Sequence, residues 1–172
     1  MADERLSEHF LLSEFTYSET AIANGIENAP TKTHLKTLKH TCEYCLEKLH
    51  KLLSEHYNAR IAITITSGYR SKALNTKIKG SRTSQHLDGS AADIKAEVIA
   101  NGKRILIGYN ALYELIKMWV KQGKMSVDQC ILEKSGDITW VHISHSSFGA
   151  TRNRREFLKY NNGVYTLDCV LK

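Results

Sequence analysis

The chain has 172 residues, 42% of them hydrophobic and 24% charged, with a formal net charge of +6. This is the balance of a globular protein long enough to bury one sizeable core, and it excludes a disordered or fibrous chain. No apolar run approaches the ~20 residues of a membrane span, and the start, Met1-Ala2-Asp3-Glu4-Arg5, lacks the apolar segment of a secretory leader. One domain over residues 1–172 is expected, with a helical part over 1–58 and the chemistry carried by 59–172. The basic residues are dispersed apart from Arg152, Arg154 and Arg155. With no phosphate-binding glycine loop and no aromatic-basic motif, no nucleic-acid partner is expected. Four cysteines without a leader read as free thiols in a reducing compartment, and a monomer is expected.

Leu12-Ser13-Glu14-Phe15 begins a helical turn with Ser13 as its cap; Asn24-Gly25 closes it, and Asn28-Ala29-Pro30 marks a loop. Over 31–57, Leu35, Leu38, Cys42, Cys45, Leu46, Leu49, Leu52 and Leu53 recur at three- and four-residue steps. That spacing predicts the longest helix of the chain, its stripe turned to the core. His34, His40, His50 and His56 fall mostly off the stripe and read as solvated. Cys42 and Cys45 read as small core residues one turn apart, since a zinc knuckle needs two further ligands close by. Ile61, Ile63 and Ile65 alternate as in a half-buried strand, which Gly68 breaks with Arg70 near its end. Residues 71–78 fit a short helix stopped by Lys79-Gly80, and 92–96 a second strand. After the Asn101-Gly102 turn, a helix spans 109–121. Strands over 127–132 and 138–144 join through Lys134-Ser135-Gly136-Asp137 as an antiparallel hairpin. The sum is α+β: a small antiparallel sheet with helices packed mainly on one side.

One stretch stands out, Ser84-Gln85-His86-Leu87-Asp88-Gly89-Ser90-Ala91-Ala92-Asp93. Its imidazole and carboxylate are seven positions apart, which is ~10.5 Å along a helix axis. Ligands of one zinc ion must come within ~3–3.5 Å of each other, because each lies ~2 Å from the metal. A straight strand fails as well, since an odd separation puts the two side chains on opposite faces. A turn at Asp88-Gly89 resolves the conflict, with small residues keeping the returning segment slim. Catalytic zinc usually takes three protein ligands. His142 is the third candidate, on a strand where Ile138, Trp140, His142 and Ser144 share a face.

The pattern Ser84-x-His86-x-x-Gly89-x-Ala91-x-Asp93, followed by Trp140-Val141-His142, resembles the zinc signature of the D-Ala-D-Ala carboxypeptidase family (peptidase family M15). Within it, the chain is most similar to the branch of phage and bacterial cell-wall peptidases. Ser67-Gly68-Tyr69-Arg70-Ser71, Leu74-Asn75, Leu12-Ser13-Glu14-Phe15, Ser18-Glu19-Thr20-Ala21 and Asn153-Arg154 match the same pattern. The resemblance implies a hedgehog/D-Ala-D-Ala peptidase-like fold and Zn2+ held by His86, Asp93 and His142, with an open position for an activated water. It implies peptidoglycan stem peptides as substrate, cut at a D-alanine bond, and the basic surface suits anionic wall polymers. Without a leader, a phage or prophage lysin made in the cytoplasm and acting on the cell wall is expected.

Arg70 is implied as a catalytic and substrate-binding residue, its guanidinium holding a carboxylate or polarising the scissile carbonyl. Ser84 is implied as a substrate-binding residue, and Asp128 and Gln129 as outer partners of a ligand histidine. Many relatives carry an acid three positions before the last histidine, where this chain has Thr139. Glu133 is favoured as general base over Asp137. A hairpin turning through 134–137, however, leaves Glu133 ~13 Å along the strand from the cross-strand partner of His142. Two alternatives stay open. One is an endopeptidase on cross-bridges or the L-Ala-D-Glu bond, with the same metal set. The other is a non-catalytic, zinc-stabilised binding module, as in the hedgehog-like proteins that share this arrangement.

Overall fold

The computed structural model describes residues 3–146 and 150–172. Two short helices, α1 (Leu12–Thr16) and α2 (Glu19–Ala23), precede a long rod. The rod is α3 (Lys32–Thr41), one π-helical turn (Cys42–Leu46) and α4 (Glu47–Tyr57), run together without a break. Thr31 caps it by accepting the His34 backbone N–H at 3.2 Å. Ser13 does not cap α1. It sits inside that helix with its hydroxyl on Asp3, and the Glu14 carboxylate accepts the Leu11 N–H instead, at 2.7 Å. The π turn fits an extra residue into the rod. Cys42, Cys45 and Leu46 are all fully buried there, in line with Leu38, Leu49 and Leu53. The cysteines are free, and burial pushes the Cys45 thiol up to about 12, so it stays protonated and apolar in behaviour.

The rest of the chain supplies β1 (Arg60–Ser67), β2 (Ala91–Ala100), β3 (Lys103–Leu106), β4 (Gln129–Ser135), β5 (Ile138–Ser144), β6 (Glu156–Asn161) and β7 (Val164–Val170). They form one seven-stranded sheet in the order β1-β2-β5-β4-β6-β7, with β3 paired to β2. The α+β expectation holds, and the sheet is mixed, because β6 runs parallel to β4 while its other pairs are antiparallel. The helix α6 (Tyr109–Lys121) and the long rod cover one face. There Ile94, Ala96, Val141, Ile143 and Phe157 meet Leu49, Leu53, Leu112 and Ile116 in a single core. Asp93, Trp140 and His142 alternate to the other face. The β1–β2 connection, with α5 (Lys72–Lys77) and a 3-10 turn (Gln85–Leu87), forms part of the rim above that face.

Two glycines bring this connection onto the helices. A Cβ on Gly68 would lie 2.6 Å from the Phe15 Cα and 2.7 Å from the Phe15 carbonyl oxygen. Gly89, at φ +82°, would place a Cβ 2.8 Å from Leu38 Cγ, and its carbonyl accepts the Thr41 hydroxyl at 3.1 Å. Gly68→Ala would have to move backbone rather than a side chain. It should destabilise the protein by about 1–3 kcal/mol, read as a lowered midpoint in urea. An unchanged midpoint would show that α1 yields freely.

Candidate metal centre

The register of β2 against β5 puts Asp93 directly opposite His142. Opposed residues on one face of an antiparallel pair have Cβ atoms only ~4.5–5.5 Å apart, and here His142 Nδ1 comes to 2.9 Å from Asp93 Oδ1. His86 reaches the same point from its 3-10 turn. Its Nε2 lies 3.2 Å from both Asp93 Oδ1 and His142 Nδ1. Four-coordinate zinc with bonds of ~2.0–2.1 Å holds its ligand atoms ~3.3 Å apart, so the triangle fits a tetrahedral ion with almost no rearrangement. All three side chains are buried.

Their protonation is set by the atoms behind them. The Gly68 carbonyl takes the His86 Nδ1–H at 2.7 Å, which leaves a lone pair on Nε2 facing the triangle. Burial keeps the imidazole of His86 neutral against the pull of Asp93. Burial would raise Asp93, but His86 and His142 outweigh it and hold that carboxyl well below the usual carboxylate range. Neutral imidazole and ionised carboxylate are the ligand forms. Arg70 Nη2 donates to the outer oxygen, Asp93 Oδ2, at 2.8 Å, and Arg70 is itself braced by two bonds to Ser67 Oγ at 3.0 and 2.9 Å. The Arg70 backbone N–H also binds the His86 carbonyl at 3.0 Å. Residues 67–70 thus clasp two of the three donors from behind.

Glu133 stands closer than the sequence suggested. The β4–β5 turn is only Gly136-Asp137, so Ser135 pairs with Ile138, Glu133 with Trp140 and Ile131 with His142. Glu133 and His142 are therefore diagonal neighbours on one face, ~7–8 Å apart, and the ~13 Å separation does not arise. Burial first, and Asp93 second, push the Glu133 carboxyl up to about 7, with His142 and Arg70 opposing. Asp137 is exposed at the turn tip and does not line the cleft.

Other expectations are redirected. Asp128 accepts from Gln85 Nε2 at 2.9 Å and from Arg154, while the Gln129 side chain donates to Glu156. Neither Asp128 nor Gln129 contacts a ligand histidine in these bonds; the Gly68 carbonyl does, and a backbone carbonyl leaves no trace in a sequence. His145 is buried elsewhere, beside the rings of His40 and Tyr44. The donors open into a cleft of about 670 Å³ whose walls include Arg70, Ser84, Glu133, Tyr160 and Tyr165.

A family model described as Peptidase M15 matches residues 8–106. The chain belongs to the Peptidase M15 family. Its members are metallopeptidases of the cell-wall peptidase kind, and the buried triangle is a group of donors able to hold a metal. The matched segment carries Arg70, His86 and Asp93; Glu133 and His142 lie beyond it and join them through sheet register. No curated protein matches the chain.

Glu133 gives a pH test of this geometry. Its folded-state pKa is raised, so the folded protein is penalised as pH climbs from about 4.5 through 7, and not below. In chelator-treated protein, Glu133→Gln should therefore be more stable than the parent by on the order of 2–3 kcal/mol at pH 8, and equal to it at pH 4. Denaturant midpoints at the two pH values decide it. An equal difference at both would mean that Glu133 is not squeezed beside Asp93.

Proposed function

We propose that the chain is a zinc-dependent metallopeptidase that hydrolyses peptidoglycan stem peptides at a D-alanine bond. The observation that supports it most is a pre-assembled His86–Asp93–His142 triangle with Glu133 on the same face of an open cleft. Zinc held by those three residues supplies Lewis acidity and lowers the pKa of water. Glu133, on the same cleft face as His142, is assigned to take a proton from the attacking water and deliver it to the departing amine nitrogen. Ser84, on the cleft wall, is assigned to the peptide backbone of the substrate. Arg70 is assigned a positioning role, because its Nη2 is committed to Asp93 and its Nε to Ser67. The net charge of +6 favours encounter with anionic wall polymers, and a phage or prophage lysin is the setting that fits this reading.

A second reading is endopeptidase cleavage of the same polymer, and one feature favours it. A carboxypeptidase must hold the terminal carboxylate of its substrate, yet the cleft guanidiniums of Arg70 and Arg154 are already engaged by Asp93 and by Asp128 with Glu156. Purified peptidoglycan incubated with the zinc-loaded protein separates the two readings by mass. Free D-alanine is the expected product, longer peptide fragments assign the endopeptidase, and no release of either overturns the proposal.

The role of Glu133 is tested by Glu133→Gln, which should keep the zinc and lose about 10²–10⁴ of turnover, the usual weight of a positioned proton-transfer group. Full activity in that variant would remove it from the reaction. Arg70→Ala should weaken zinc binding by about 10–100-fold, the usual cost of losing an outer partner. Unchanged zinc affinity with a raised KM would return Arg70 to the substrate.

A further inference from the structure

Off the cleft, on the helical side of the molecule, His9, Glu47 and His50 meet in a cluster that the peptidase reading does not use. Glu47 and His50 are three residues apart on α4, so they share a helix face one turn apart. Leu6 and Phe10, on either side of His9, are buried in the core and fix the segment that carries it. His9 Nδ1 lies 2.7 Å from Glu47 Oε2. The other carboxylate oxygen, Oε1, is occupied by the Ser7 hydroxyl and the His9 backbone N–H, both at 2.7 Å. The far side of His50 is occupied too: Nε2 is 3.2 Å from the Ile61 carbonyl of β1. A carbonyl only accepts, so Nε2 carries the hydrogen and Nδ1 keeps a lone pair.

This is the outer arrangement of the cleft triangle over again. One carboxylate oxygen is tied back by donors, one imidazole is locked on a backbone carbonyl, and one donor atom from each residue lies within 4.8 Å of the other two. We propose that His9, Glu47 and His50 are a second metal site, independent of the cleft, that takes a divalent transition ion of the zinc class and staples the amino-terminal segment to α4. Two imidazoles and one carboxylate select zinc, cobalt or nickel over magnesium or calcium. The rings of His9 and His50 stack with centroids 3.9 Å apart and planes 27° apart. A metal lies in the plane of each imidazole that binds it, so His9 must swing its ring to close the site. Its side chain is 41% exposed and has room to do so. The swing and the wider spacing make this the weaker of the two sites.

Calorimetric titration of the metal-free full chain with ZnCl2 tests the proposal. The parent protein should bind two equivalents, and His9→Ala one. In a His86→Ala/His142→Ala background, one equivalent should remain. Adding His9→Ala or His50→Gln should weaken it at least tenfold and abolish the zinc-induced rise in melting temperature, while MgCl2 has no effect on any variant. His9 is at the surface, so circular dichroism should show that its removal leaves the fold intact. A background protein that binds no zinc overturns the site, as does one whose remaining equivalent survives both substitutions unchanged.

Discussion

Asp93 on β2 faces His142 on β5, and that cross-strand contact between neighbouring strands carries the arrangement of the whole site. Because side chains alternate, a slip of one residue in this pairing would send one of the two into the apolar core and bring a core residue out. Ala92, Ile94, Val141 and Ile143 sit on the core side of the same four-residue ladder and prevent it. The hydrophobic pattern that fixes the sheet therefore also fixes the donor pair. His86 is then added by a turn whose closeness to the rod depends on Gly89 against Leu38.

Burying a carboxylate between two imidazoles is costly unless its charge is met. Arg70 meets part of it from behind at 2.8 Å, and a bound cation would meet the rest from the front. Glu133 registers the same negative field, since Asp93 helps to push its carboxyl up to about 7. One buried charge thus accounts for the fixed Arg70 and adds to the burial that raises Glu133, while burial keeps His86 neutral against it. The site is poised around a cation by its electrostatics as much as by its geometry.

Much of this was legible in the sequence because it rests on spacing. The seven-residue step from His86 to Asp93 forbids a straight helix or strand, and the structure supplies the turn that the step demands. The helix stripe over 31–57 and the strand over 138–144 reflect strong periodicity over long runs. What was missed depends on contacts between distant residues or on backbone atoms. Arg70 belongs to a substrate-facing motif by resemblance, yet Ser67 and Asp93 hold it. The hairpin register turned on which two of four polar turn residues form the tip, which composition does not decide. β6 and β7 are largely exposed beyond β4, so their alternation is thin, although the Asn162-Gly163 pair between them was an available hairpin signal. His50 reads as solvated on a helical wheel, and only the tertiary fold brings Ile61 and His9 to it.

The central claim is that His86 Nε2, His142 Nδ1 and Asp93 Oδ1 bind a metal without reorganising. Anomalous diffraction at the zinc edge, from crystals of protein loaded with one equivalent of zinc, tests it most directly. The account predicts a peak in the cleft within ~2.0–2.2 Å of those three atoms, with Arg70 still on Asp93 and the Gly68 carbonyl still on His86. A zinc peak elsewhere with the cleft triangle empty, or a cleft ion bound through other atoms, would contradict it.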